Sequence, residues 1–127
     1  MTELPPYAQL LQLRTERIED GGLLFVMPFH DDVVGRPGYL HGGAIAGLLE
    51  FAAYGALAHA VEGRQVTLKP ISVTIDYLLG GKNRDTFAAA TIARLGARIA
   101  NVEAVAWQKE RSVPIAGARI NFLLAGR

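Results

Sequence analysis

Glu50 is the residue whose type fits its neighbours least. It stands in Leu48-Leu49-Glu50-Phe51-Ala52, inside a stretch, 44–61, that is apolar apart from Glu50 and His59. An unpaired charge in apolar surroundings is strongly disfavoured, so a carboxylate there needs a reason. Three readings are open: a functional carboxylate facing a pocket, a structural carboxylate paired with a cation from another element, or an exposed residue on a helix less buried than its composition suggests. The second chemical signal precedes it in Leu40-His41-Gly42-Gly43-Ala44. Glycine costs a helix ~1 kcal/mol relative to alanine, and it is useful where a ligand must come close to the backbone. First-turn N–H groups have no intrahelical partner, and the helix dipole there favours negative charge. Together these supply the physics of an oxyanion site. A tight loop-to-helix junction, with glycines for steric reasons only, is the structural alternative.

The spacing of the two signals carries more than either alone. Gly42 and Glu50 are eight residues apart, which on a helix is ~12 Å along the axis and roughly 80° around it. A carbonyl held at Gly42 is then out of reach of Glu50 in the same chain. If both act on one substrate, they come from different subunits, which predicts an obligate dimer with two antiparallel central helices and shared sites.

The elements that must position these residues follow from pattern. The stretch 44–61 is rich in Ala and Leu, good helix formers, and apolar on every face, so it reads as one long helix buried on all sides. Glu62-Gly63 ends it. Before it, Pro5-Pro6 closes a short N-terminal arm, 10–19 reads as a strand or a helix end, Gly21-Gly22 as a turn, 23–29 as a strand, and 30–40 as a loop holding Asp31, Asp32, Gly35, Pro37 and Gly38. After it, 66–79, 86–95, 99–110 and 115–124 read as strands, separated by Gly80-Gly81-Lys82-Asn83, Gly96 and Ser112-Val113-Pro114. Short turns between consecutive strands predict an antiparallel meander. The expected fold class is α+β, an antiparallel sheet of about five to six strands wrapped around one long central helix.

Length and composition agree with one domain over residues 1–127. The chain is 50% hydrophobic and 20% charged, with a net charge of +1, which excludes a disordered chain and gives none of the basic balance of a nucleic-acid binder. It has no cysteine, so disulfides, Cys-ligated zinc and a cysteine nucleophile are excluded, and a cytoplasmic setting is compatible. No signal peptide is expected from residues 1–9. The apolar stretch is short for a membrane span, and its carboxylate would be costly in lipid, so no membrane association is expected. Ser72 and Ser112 lie in no nucleophile elbow. His30, His41 and His59 have no ligand spacing with one another, so no metal is expected, and His30-Asp31-Asp32 reads as a polar loop. Gly80-Gly81-Lys82 lacks the phosphate-loop spacing. His59 reads as a partly buried helix-end residue, and Asp76 and Glu103 as outward-facing strand residues.

Gly38-Tyr39-Leu40-His41-Gly42-Gly43 followed by a carboxylate nine residues after the His resembles the hotdog-fold acyl-CoA thioesterases of the phenylacetate-degradation, PaaI-like, type. The resemblance extends to Val73-Thr74-Ile75-Asp76-Tyr77-Leu78 and to the Gly-x-Arg step leading into the apolar strand up to Val105, covering roughly 10–124. It implies hydrolysis of an acyl-CoA thioester, with the Gly42 N–H holding the carbonyl oxygen. It implies that Glu50 of the partner subunit acts as general base or nucleophile, and that His41 orients the substrate or its surroundings. It implies pantetheine running past Gly43, Leu79, Gly80 and Gly81, with Lys82, Arg84 and Arg98 as candidates for the CoA phosphates. The implied assembly is a homodimer or a dimer of dimers (a homotetramer). No cofactor is implied, CoA being part of the substrate. Two positions depart from the family pattern: a strand-end Ser or Thr is replaced near Leu79, and an Asn or Gln six residues before the His is replaced by Gly35, with Asp31 or Asp32 as substitutes to be considered. Two other functions compete. A hotdog dehydratase or hydratase of 3-hydroxyacyl thioesters is suggested by Gly35-Arg36-Pro37-Gly38 but fits the His-to-acid spacing poorly. A non-catalytic acyl-CoA-binding hotdog module would have no use for Glu50.

Overall fold

The computed structural model describes residues 4–18 and 22–126. Helix α2, Gly42–Ala60, is the axis of the fold. Its buried residues Ala44, Ile45, Leu48, Leu49, Ala52, Ala53 and Leu57 lie at the three- and four-residue spacings of one helical stripe. That stripe packs against strands β2 (Leu23–Met27), β5 (Val66–Tyr77), β6 (Thr86–Leu95), β7 (Ile99–Trp107) and β8 (Ala116–Gly126). The helix ends through Val61, and Gly63 follows with φ +90°, a conformation that suits glycine. By length and composition alone α2 could cross a membrane, but its apolar stripe is spent on the sheet, as in the core helix of a folded domain.

The main sheet has six strands in the order β1-β2-β6-β7-β8-β5, every neighbouring pair antiparallel. Strand β1 is Arg14–Arg17. β6, β7 and β8 form the expected meander. β5 precedes them in the chain yet lies beyond β8 at the sheet edge, so its outer edge is open. The helix-facing side of the meander is filled by Ala88, Ala100, Val102, Ala104, Ile120, Phe122 and Leu124, all buried. Alternation along β7 and β8 leaves the other side only partly covered, as strand pleating requires.

Four expectations change. α2 is not buried on all sides: Glu50 and Phe51 are half-buried and Tyr54 is exposed, because one sheet covers only one side of a helix. Helix α1 (Pro6–Leu10) covers part of the remainder, with Tyr7 and Leu11 packed over Gly47 and the Tyr7 ring 6.3 Å from that of Phe51. The proline pair at 5–6 therefore opens a short helix, Pro being suited to its first position. The stretch 30–40 is not a plain loop: it holds a 3-10 turn, Asp31–Val33, and a small hairpin of β3 (Val34–Arg36) and β4 (Tyr39–Leu40), with Gly38 at φ +82° in its turn. His59 is exposed rather than partly buried, 3.8 Å from Glu62. Of the turn expected at 21–22, Gly21 lies outside the described residues, as does Glu19 at the end of the stretch 10–19.

Candidate active site

The α2 N-terminus is clamped from three directions. The His41 N–H donates to the Val33 carbonyl at 2.8 Å, the Leu40 N–H donates to the Gly81 carbonyl at 2.9 Å, and Tyr39 bridges to Lys82. Leu78 and Leu79 N–H groups both donate to the Ile115 carbonyl. The β3–β4 hairpin and the segment after β5 are thus fixed beside the first turn of the helix.

Within that turn the donors are almost all taken. His41 is the N-cap, and the Gly43 N–H donates to its Nδ1 at 2.8 Å. Ala44 and Ile45 N–H groups both donate to the His41 carbonyl, at 3.0 and 3.2 Å. The Gly42 N–H alone in this turn has no hydrogen-bond partner among the described residues. It opens on two adjoining clefts, one lined by Gly35, Arg36, Tyr39 and His41, the other by Ile45, Tyr77, Leu78 and Leu79, with Leu40, Gly80 and Gly81 common to both. The glycines have steric roles here: a Cβ on Gly43 would come within 2.9 Å of His41 Nδ1, and one on Gly35 within 2.9 Å of the His41 Cα. No side chain fits at position 35, and neither Asp31 nor Asp32 lines the clefts beside Gly42.

The clefts continue into a larger one of about 640 Å³, which shares Arg36, Tyr39 and Gly80 with the first and is lined further by Lys82, Arg84, Gln108 and Lys109. Four cations meet there, and the Arg36 guanidinium lies 4.2 Å from the Tyr39 ring centroid. Lys82 and Arg84 are therefore brought to the same groove as Gly42, Leu79, Gly80 and Gly81. Arg98 is not. It sits at the β6–β7 turn, where its carbonyl accepts from Leu124 N–H at 2.7 Å, and the ten-residue β6 separates it from Arg84, roughly 30 Å of strand. Arg36, Lys109 and Tyr77 line the groove without having been singled out from the sequence. Arg36 lay in a stretch read as loop, and the pairing of β6 with β7, Phe87 opposite Trp107, with the Gln108 bonds to Lys82 and Arg84, brings Lys109 beside them.

Glu50 is half-buried, two turns along α2 from Gly42, with no hydrogen bond or ion pair among the described residues. It lies on the helix side that the sheet does not cover, one turn from Ala46 and Gly47. Among the three open readings, pairing with a cation finds no support among the described residues. His30 has a local structural role, its Nε2 being 3.0 Å from the Leu11 carbonyl. Among the described residues no group of three His, Cys, Asp or Glu is placed to hold a metal ion.

A long helix laid across a curved antiparallel sheet, with a His-Gly-Gly start opening on a basic groove, defines the chain as a hotdog-fold protein. Residues 31–123 match the family model of the acyl-CoA thioesterase N-terminal domain, and the chain belongs to that family. A solved structure from Chromobacterium violaceum is 38% identical, with 94% of this chain and 83% of that one covered and a TM-score of 0.77. A Bacillus halodurans protein solved with CoA is 22% identical, with 98% and 81% covered and a TM-score of 0.86. A phenylacetic acid degradation-related protein of Ralstonia eutropha is 17% identical, with 96% and 92% covered and a TM-score of 0.82. The last two are similar in fold. No curated protein matches the chain. The family makes the chain a thioester hydrolase.

Proposed function

We propose that the protein hydrolyses an acyl-CoA thioester in a site shared between two copies of the chain. The carbonyl oxygen is held at the Gly42 N–H of one copy, and Glu50 comes from the other. The observation that carries this reading is the single unpartnered donor, Gly42 N–H, in a first turn whose other N–H groups are all engaged. A donor aimed at the oxygen where charge develops stabilises the tetrahedral intermediate. Glu50 supplies the second half of the reaction. Acting as base, its carboxylate takes a proton from water as the water oxygen attacks the carbonyl carbon. Collapse of the intermediate breaks the C–S bond, and the CoA thiolate leaves and is protonated. Acting as nucleophile, the same carboxylate forms an acyl anhydride that water then cleaves. Neither route requires a cofactor.

The dimer is supported by what a single chain leaves open. Gly42 and Glu50 are separated by ~12 Å of helix, the Glu50 side of α2 is only partly covered by α1, and among the described residues β5 lies at a sheet edge with exposed Ile71, Val73 and Tyr77, followed by exposed Leu78 and Leu79. An open, apolar edge strand is a ready template for pairing with a second copy. The groove supports the CoA reading: Lys82, Arg84, Arg36 and Lys109 offer charge to the phosphates, and the smaller adjoining clefts by Gly80 and Gly81 suit the pantetheine arm. The Bacillus halodurans protein, similar in fold, was solved with CoA, which supports CoA as the class of ligand.

The test is a free-thiol release assay over aryl and medium-chain acyl-CoAs, with Glu50→Gln as the variant. Loss of a general base lowers kcat by about 100-fold or more, with an unchanged melting temperature because Glu50 has no partner to lose. Undiminished hydrolysis by the variant would sink the mechanism. Hydration of crotonyl-CoA without thiol release would make the chain a hydratase, and binding without turnover would make it a binding module.

A further inference from the structure

Tyr77 ends β5 and reaches back to the helix that begins 35 residues before it. Its hydroxyl donates to the Gly42 carbonyl at 2.9 Å, and its ring lies 3.4 Å from where a Gly42 Cβ would stand. That carbonyl belongs to the same peptide group as the Gly43 N–H, which donates to His41 Nδ1 at 2.8 Å. The three groups form one chain: Tyr77 O–H to Gly42 C=O, through the peptide to Gly43 N–H, and on to His41 Nδ1. Hydrogen bonds in series polarise one another, so a donor on the carbonyl makes the N–H of that peptide a better donor. An imidazole nitrogen that accepts a hydrogen bond cannot carry the proton, so a neutral His41 bears it on Nε2.

We infer that Tyr77 is a positioning residue that, by polarising the Gly42–Gly43 peptide, strengthens the bond fixing His41 as the Nε2–H tautomer, and that this N–H is a second donor to the site. The inference rests on the proposed hydrolysis for its kinetic consequence and on the hydrogen bonds alone for its tautomer. The ring of His41 lines the cleft beside Gly42, and position 35 admits no side chain, so a donor from the hairpin at that position is sterically excluded. Nε2–H fills this need: it stabilises the carbonyl oxygen together with Gly42 N–H, or orients the attacking water. Tyr77 touches neither the substrate nor the reacting atoms in this scheme, because its hydroxyl is spent on the Gly42 carbonyl.

The test is Tyr77→Phe, which removes the hydroxyl and keeps the ring against Gly42. Tyr7→Phe is the control: Tyr7 is similarly exposed, and its ring packs on Phe51 away from this chain of bonds. The first readout is the ¹⁵N spectrum of the His41 ring in the protein without substrate, at a pH where the imidazole is neutral. The parent and the control show one unprotonated Nδ1 and one protonated Nε2. In Tyr77→Phe the Gly43 N–H still donates to Nδ1, so the proton stays on Nε2, but the Nδ1 shift moves toward that of a nitrogen accepting a weaker hydrogen bond. The second readout is kinetic: kcat falls about three- to tenfold, the fold-change of one lost hydrogen bond, while KM and the melting temperature stay near the parent values. A parent spectrum with the proton on Nδ1, or a Tyr77→Phe protein whose Nδ1 shift and kcat both match the parent, overturns the inference. An Nδ1 shift that moves in the variant, in a protein that hydrolyses no acyl-CoA, overturns the proposed function and leaves the relay standing.

Discussion

At the scale of single residues, Gly42 and Gly43 have opposite jobs although they are adjacent. Gly42 keeps its N–H free, and Gly43 gives its own to His41. Position 43 allows stability and activity to be separated. Alanine there improves helix propensity by up to ~1 kcal/mol, but its Cβ would lie 2.9 Å from His41 Nδ1 and 3.1 Å from Cε1. The ring is exposed and can swing away. Gly43→Ala is therefore expected to melt near the parent temperature in a circular-dichroism scan, the lost His41 cap offsetting the gain in propensity, and to lose thioesterase activity by about tenfold, the worth of one or two misplaced hydrogen bonds. A variant that melts several degrees lower would mean that the glycine is kept for folding, and unchanged kcat would mean that the His41 ring has no part in the site.

At the scale of elements, Gln108 joins the turn after β7 to the segment between β5 and β6. Its Oε1 accepts from Lys82 N–H at 2.9 Å, and its Nε2 donates to the Lys82 carbonyl at 2.9 Å, to the Arg84 carbonyl at 3.3 Å and to Thr86 Oγ1 at 3.0 Å. Thr86 is fully buried, so its hydroxyl loses a partner it cannot replace with water. Gln108→Ala is expected to cost about 1–3 kcal/mol, read as a melting temperature several degrees lower. It should also raise KM for acyl-CoA more than it lowers kcat, because Lys82 and Arg84 lose their fixed place in the basic groove. Equal effects on KM and kcat would detach this segment from CoA binding. Gln108 also marks where the sequence stops being legible. The helix, the three meander strands and the His41-Gly42-Gly43 start could be read locally, from propensity and turn residues. The pairing of β5 with β8, the hairpin inside 30–40, and the arrival of Arg36 and Lys109 beside Lys82 depend on contacts between distant segments, which no local pattern records. Arg98 shows the same limit from the other side: its Gly-x-Arg context points to the groove, and its turn places it at the far end of β6. The Glu50 anomaly was legible because burial of a charge is a local contradiction, but the open side of α2 was not, since an apolar helix reads the same whether its cover is its own sheet or a second copy.

At the scale of the whole molecule, the helix separates the proposed site's two halves by ~12 Å, and this makes the assembly itself testable by complementation. Two inactive variants are needed, each removing one half without unfolding the chain. Glu50→Gln removes the carboxylate. Gly42→Pro removes the N–H, and the backbone accepts it: Gly42 is the first residue of α2 after the His41 cap, the position where proline is best tolerated. His41, at φ −71° and ψ 135°, already has the extended conformation required before a proline. Each homodimer lacks the same half in both of its sites. In a heterodimer, one site takes Gly42 from the Glu50→Gln chain and Glu50 from the Gly42→Pro chain, and is intact, while the other lacks both. Unfolding and refolding an equal mixture reassorts the chains, so half of the dimers are mixed and each carries one working site of two. The mixture is expected to recover about a quarter of the parent activity under two-fold symmetry. The separately refolded variants stay inactive, as does the mixture before the chains exchange. If Gly42 and Glu50 served one substrate within a single chain, no pairing would restore it and the refolded mixture would stay as inactive as its components.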